Sequence, residues 1–218
     1  MAAAKLLAES PSGEISTRDV CEAAGVAAPA LYRHFGDKSG LLSAVVDSGF
    51  EQYLAAKRAA SPSPDPIQDL LDGWDNHVSF AITHPNYYKL MYSPVLISRP
   101  EAAAEAHRLL TEVVERVAVE GRLSVPVDTA AQMIMSANAG VALALLYRAE
   151  LNTDPLLSSR VRDAVIGSVT ISDLGATGQV RIGAVATTLR ALLSSETPAS
   201  FTSAESALFR DWLARLEQ

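Results

Sequence analysis

Residues 16–38 constrain the chain more than any other stretch, because they spell two short helices, a tight turn and the start of a third helix. Ser16 is a good N-cap, and Asp19 stands three residues on, where an acid supports the first turn. Val20 and Ala24 fall on one face, and Gly25 ends the helix with a turn that favours a residue without Cβ. Pro29 suits the first position of a second helix, since its missing N–H would have no helical partner there. Leu31 and Phe35, spaced i, i+4, turn that helix back onto the first. Its other face presents Ala28, Ala30, Arg33 and His34, with Tyr32 to one side. Asp37 then caps a third helix whose first turn holds Lys38. The pattern predicts a helix-turn-helix.

The run Thr17-Arg-Asp-Val, Ala24-Gly25-Val26, Leu31-Tyr-Arg-His-Phe35, Lys38 and Leu41-Leu42 resembles the DNA-binding signature of the TetR-type transcriptional regulators. The resemblance covers about residues 3–54. It implies an all-α homodimer that binds an operator in double-stranded DNA and releases it when a small-molecule effector enters a larger second domain. It places Thr17, Tyr32, Lys38 and His34 at phosphate-contact positions, roles that a hydroxyl, a phenol, an ammonium and an imidazole can fill. The bland alternative makes them cap, packing and surface residues. Arg18 and Arg33 can read guanine edges in the major groove, or Arg18 can pair with Glu22 at i+4. Ala28, Pro29 and Ala30 offer methyl and methylene contacts but no hydrogen bonds, so direct base readout is sparse.

Net charge is a tension. The whole chain carries −7. Residues 1–60 hold Lys5, Arg18, Arg33, Lys38, Lys57 and Arg58 against Glu9, Glu14, Asp19, Glu22, Asp37, Asp47 and Glu51, which gives −1. DNA binding must rest on a few placed cations, two-fold repetition and helix N-termini rather than on bulk attraction. With 49% hydrophobic residues in 218, the chain can bury a sizeable core plus a small module. One cysteine excludes an internal disulfide and suits a reducing cytoplasm, and Met1 to Lys5 lacks the pattern of a secretory leader. Cys21 reads as a small buried filler.

In chain order, helices are expected over about 2–9, 38–60, 67–83, 87–92, 101–120, 126–150, 156–169, 179–194 and 203–217, besides the two already described. Asn86 reads as the cap of the short helix before Tyr92, and Leu208, Trp212, Leu213 and Leu216 as the inner stripe of the last. Ser39-Gly40 stands where the family often has an acidic pair, which predicts easy fraying of the helix it opens. Ser61-Pro-Ser-Pro-Asp-Pro66 divides an N-terminal helix-turn-helix domain, 1–60, from a helical effector-binding and dimerisation domain, 61–218. Only Ser168–Ser172 has a brief strand period.

The string Trp74-Asp-Asn-His77, Phe80-Ala81, His84-Pro85 and Tyr87-Tyr-Lys-Leu-Met-Tyr92 resembles the effector domain of the WHG-type subgroup of that family. Trp74, Phe80, Tyr88, Met91, Tyr92 and Met135 are the candidate effector contacts, with ordinary core packing as the alternative. His77 and Asn138 are polar positions on otherwise apolar helices, and a buried polar group needs a partner, which a ligand can supply. The effector expected is small and largely apolar. No cofactor, metal set or catalytic constellation is expected: His77 and His84 lack a third ligand, and no nucleophile or phosphate-loop motif occurs. The chain is therefore read as a regulator, with a helical binder or enzyme that has lost DNA binding as the other possibility.

Between Asp128 and Arg148 there is no formal charge, and apolar residues cover most of the helix circumference. Such a helix is buried all round, in a core, an interface or a membrane. Gln132, Ser136, Asn138 and Gly140 interrupt it, which argues against a span. Val141 and Leu145, with Val185, Leu189 and Leu192 of the helix near 179–194, are the expected contacts of a two-fold four-helix interface.

Overall fold

Helix starts follow from side-chain caps at both ends of the chain. The structure is a computed structural model that describes residues 2–11, 13–94, 96, 100–148, 150–171, 182–195 and 201–217. Among these residues the chain forms α1 (Ala2–Glu9), α2 (Thr17–Ala24), α3 (Ala28–Phe35), α4 (Lys38–Ala59), α5 (Pro66–Thr83), α6 (Pro85–Met91), α7 (Glu101–Val119), α8 (Val127–Tyr147), α9 (Leu157–Val169), α10 (Ile182–Ser195) and α11 (Ser203–Leu216). The fold is all-α, an N-terminal helix-turn-helix followed by a larger helical part. The strand-period stretch near Ser168 contributes only an isolated bridge, Thr170 against Leu123, and Ser172 lies outside the described residues.

Ser16 caps α2 by accepting the Asp19 N–H at 3.1 Å, and Gly25 closes it at φ +64°, a left-handed conformation that costs glycine little. α3 starts one residue earlier than expected, at Ala28, so Pro29 sits at its second position. That N–H is also without a helical partner, so the proline still fits. Asp37 caps α4, its Oδ1 accepting the Gly40 N–H at 2.8 Å. α11 starts at Ser203 as expected, with Thr202 as its N-cap in a reciprocal capping box with Glu205. α6 departs from expectation: it begins at Pro85, and Asn86 caps nothing. The Asn86 amide instead donates to the carbonyls of Leu7 and Ser10, at 2.8 and 2.9 Å.

The described chain divides into two compact units. The first comprises Met1–Ser61, Asn76–Leu109 and Ala142–Thr153; the second comprises Pro62–Asp75, Leu110–Val141 and Asp154–Gln218. In the first, Leu7, Val20, Leu31, Leu41, Leu42, Val46, Phe50, Leu54 and Tyr88 are buried. Each such leucine or phenylalanine contributes about 1.5–3 kcal/mol. Gly40 explains itself here. A Cβ at that position would stand 2.1 Å from the Phe35 carbonyl oxygen, so the missing acidic pair leaves room for α3 to run directly into α4. Gly49, two and a half turns on, lets the Tyr87 ring lie where a Cβ would come within 2.2 Å of it. Asp47 accepts the Ala102 N–H at 2.9 Å and so caps α7 from α4.

In the second unit Trp74, Val114, Val117, Leu123, Ala130, Ala131, Ile134, Ile166 and Val169 are buried. The Trp74 Nε1–H donates to Ser158 at 3.1 Å, and Arg116 ties the Asp69 carboxylate to the Ser63 carbonyl. α10 and α11 meet through Ala186, Leu193 and Leu213, with Leu189 and Phe209 packed against them. This corrects the expected inner stripe of α11. Leu213 is buried, but Leu208, Trp212 and Leu216 are about half exposed at 49%, 52% and 52%. Phe209 takes their place, four residues before Leu213 on the same face. α8 is long and apolar enough to cross a membrane by length and composition. Ala130, Ala131, Ile134, Asn138, Ala139, Val141 and Ala142 are nevertheless buried within the protein, the pattern of a core helix.

Candidate nucleic-acid interface and effector site

The turn between α2 and α3 leaves one polar surface. Leu31 and Val20 are buried beneath it, while Arg18, Ala28, Pro29, Tyr32, Arg33, His34 and Lys38 are exposed and Thr17 and Ala30 half-buried. Every residue expected to touch DNA is thus accessible. The Tyr32 hydroxyl donates to the Thr17 hydroxyl at 3.4 Å, which sets two proposed phosphate contacts side by side. His34 packs edge-on against Phe35 with ring centroids 4.5 Å apart, and its ring stays at the surface. Arg18 makes no ion pair with Glu22 or any other described acid, and Arg33 and Lys38 also have none. Three uncommitted cations on one short surface fit phosphate better than they fit a salt-bridged helix face. Cys21 is half-buried on α2 rather than fully enclosed.

The expected effector residues fall into two groups, one in each compact unit. Trp74, Met135 and Asn138 belong to the second; His77, Phe80, Tyr88, Met91 and Tyr92 belong to the first. In the second unit, Asn138 is buried and donates from Nδ2 to the Trp74 carbonyl at 3.2 Å. Its Oδ1 is also buried and has no partner among the described residues.

In the first unit the polar residue finds partners at once. The His77 Nε2 and Tyr88 hydroxyl are 2.7 Å apart, and the His77 Nδ1 and Tyr53 hydroxyl 3.4 Å apart. Tyr92 hydrogen-bonds Tyr88 in turn. Around this chain Phe50 and Phe80 lie 4.4 Å apart between ring centroids, Tyr53 and Phe80 4.8 Å, and Phe80 stacks on His84 at 4.6 Å. Burial, and then the charge of Lys57, holds the His77 imidazole down to about 4, so it is neutral at ordinary pH. A neutral imidazole donates once and accepts once, so it accepts a hydrogen bond from one phenol and donates one to the other. Burial pushes the Tyr88 and Tyr53 hydroxyls up, with Tyr92 adding to both. Met91 is half-buried, and Tyr92 is 41% exposed.

Two members of this cluster escaped the sequence reading. Tyr53 was not singled out from the sequence, and Lys57 entered only in the charge balance of residues 1–60. Lys57 is half-buried, its Nζ 5.1 Å from the centre of the Tyr53 ring, and burial lowers its ammonium to about 8. The i, i+4 spacing of Tyr53 and Lys57 was the available signal, but it acquires meaning only beside His77, 24 residues after Tyr53.

α6 joins the two surfaces. Tyr88 on this helix pairs with His77, while its neighbour Tyr87 donates to the Ala4 carbonyl at 2.8 Å and Asn86 donates to Leu7 and Ser10. A seven-residue helix is therefore fastened both to the buried polar chain and to α1 with the residue just after it, ahead of the helix-turn-helix.

This arrangement defines an all-α fold with an N-terminal helix-turn-helix. Residues 1–45 match the family model described as "Bacterial regulatory proteins, tetR family". The fold is similar to a crystal structure from Shewanella sp. PV-4 described as a candidate tetR family transcription regulator, with a TM-score of 0.59 and 18% identity. The likeness covers 78% of this chain and 95% of that one, and at this identity it is a likeness of fold. No curated protein matches the sequence. The family match lies in the N-terminal helix-turn-helix part, and the solved structure shares the all-α fold.

Proposed function

We propose that the chain is a ligand-responsive repressor of the tetR type, in which residues 1–60 hold DNA and residues 61–218 serve effector binding and dimerisation. Two copies grip a pseudo-palindromic operator, with α3 of each entering successive major grooves. Thr17, Tyr32, His34 and Lys38 hold phosphates, and Arg18 and Arg33 read base edges with Ala28, Pro29 and Ala30 close by. The effector displaces or reorients the His77 chain, α6 follows Tyr88, and α1 follows α6. The WHG-type resemblance of residues 74–92 agrees with an effector site there. The observation that carries this reading is the double attachment of α6.

The apolar residues left at the surface support dimerisation. Of the five expected contacts, Val185 and Leu192 are 48% and 43% exposed, Leu145 and Leu189 are half-buried, and Val141 is buried. On α11, Leu208, Trp212 and Leu216 are also about half exposed. A homodimer closed over α10 and α11 would remove these side chains from water.

Selection of bound sequences from randomised duplex DNA tests the reading. A two-fold repeated half-site is expected. Lys38→Ala should weaken all sequences alike and lower the salt slope by about one unit per lost phosphate contact in each half-site. Unchanged affinity and slope in that variant would overturn the assignment of the DNA surface.

A further inference from the structure

From Ala23 to Leu31 no side chain carries a nitrogen, oxygen or sulfur atom, although this stretch holds the turn and the start of α3. Residues 23–29 are all exposed. Val26 is the bulkiest apolar side chain among them and stands 42% exposed. Its place is set by the backbone. The Val26 N–H donates to the Cys21 carbonyl at 3.0 Å and the Gly25 N–H to the Glu22 carbonyl at 3.2 Å, the paired bonds of a Schellman turn. The Ala27 carbonyl then accepts the Ala30 N–H at 2.9 Å, which opens α3. A β-branched side chain is stiff about χ1, and alanine has no χ1 to set, so Val26, Ala27 and Ala28 present preformed methyl groups. Hydrogen-bonding side chains resume only at Glu22 before the stretch and Tyr32 after it.

The residues at the start of a recognition helix are the ones that meet base edges in the major groove. In that groove the bases are told apart by hydrogen-bond donors and acceptors and by one apolar mark, the C5 methyl of thymine. Side chains without polar atoms can use only the last. We infer that Val26, Ala27 and Ala28 make this chain a reader of thymine methyl groups, so that its half-site is set by thymines opposite the start of α3. This rests on the repressor reading for the duplex and adds what the bases must offer. Arg18, Arg33 and Lys38 make no ion pair with a described acid, and their charge suits a duplex on this apolar face better than a protein.

The operator selected from randomised duplex is remade with one base changed at a time. Deoxyuridine in place of thymidine removes the C5 methyl and keeps every hydrogen bond. At one or more positions of each half-site this should weaken binding about fourfold, the worth of one buried methyl group, and about fifteenfold when both half-sites carry the change. A cytosine placed at the same position should bind more tightly as 5-methylcytosine, by a similar factor. Val26→Ser, Ala27→Gly and Ala28→Gly are made singly, with circular dichroism melting to check that each folds. At least one should bring the thymidine-to-deoxyuridine ratio to about one at a sensitive position and leave the salt slope as it was. A half-site indifferent to deoxyuridine, or a methyl dependence that survives all three variants, would overturn the inference and leave the DNA reading standing. Variants that change the sedimentation of the free chain and leave every such ratio alone would give the face to a protein contact instead. Selection that enriches no duplex would overturn both readings.

Discussion

The neutrality of His77 makes a quantitative demand on stability. In the unfolded chain its imidazole titrates near the ordinary value of 6.5, whereas in the folded protein burial and Lys57 hold it to about 4. Between those values the unfolded state binds a proton that the native state refuses, so stability rises with pH through that window and is level above it. The native state therefore loses stability on acidification, beginning near 6.5 and ending near 4. From about pH 7 to about pH 5 the loss from this one group is about 2 kcal/mol. Carboxylates titrate in the same range, so the comparison must be with a variant that keeps the hydrogen bonds without the proton. His77→Gln can accept from one phenol and donate to the other. Urea unfolding of both proteins at the two pH values should show the wild type losing about 2 kcal/mol more than His77→Gln. Equal losses would mean that His77 is protonated in the native state, and the argument for a neutral imidazole between two phenols would fail.

Three other outcomes follow from packing. Gly40→Ala places a methyl 2.1 Å from the Phe35 carbonyl, so despite the better helix propensity of alanine it should cost about 1–3 kcal/mol in thermal unfolding and weaken DNA binding. Asn86→Ala removes two hydrogen bonds to α1 and should cost about 1–2 kcal/mol, with faster hydrogen exchange in residues 2–9 than in α4. Leu208→Glu combined with Trp212→Glu should leave the fold intact and give a monomer by sedimentation; a wild-type chain that is already monomeric at about micromolar concentration would refute the dimer face.

Local rules carried the helix-turn-helix because its signals are local. Ser16, Gly25, Pro29 and Asp37 act on residues within one turn of themselves, and each is found doing so within a residue of the expected place. Where two readings share the same periodicity, sequence cannot choose between them. α11 has apolar residues on adjacent faces, and only the presence of α10 decides that Phe209 and Leu213 turn inward while Leu208 and Trp212 do not. Asn86 looks like a cap because caps are what asparagine does nearby, but its partners are Leu7 and Ser10, 79 and 76 residues away. His77 and Asn138 were recognisable as buried polar groups in want of partners. What they found, two phenols and a single backbone carbonyl, depends on helices brought together only by the fold.

The seating of α6 has a mechanical consequence. Asn86, Tyr87 and Tyr88 are consecutive, so their side chains leave the helix axis about 100° apart, and no sliding of α6 can move one without the others. A side-chain tip stands about 5–6 Å from that axis, so a turn of about 10° carries it about 1 Å. The Asn86 and Tyr87 bonds to α1 are 2.8–2.9 Å long, and a further ångström takes each beyond hydrogen-bonding range. α6 thus behaves as a cam with a narrow dwell: small rotations leave the grip on α1 whole, and slightly larger ones release all three carbonyls together.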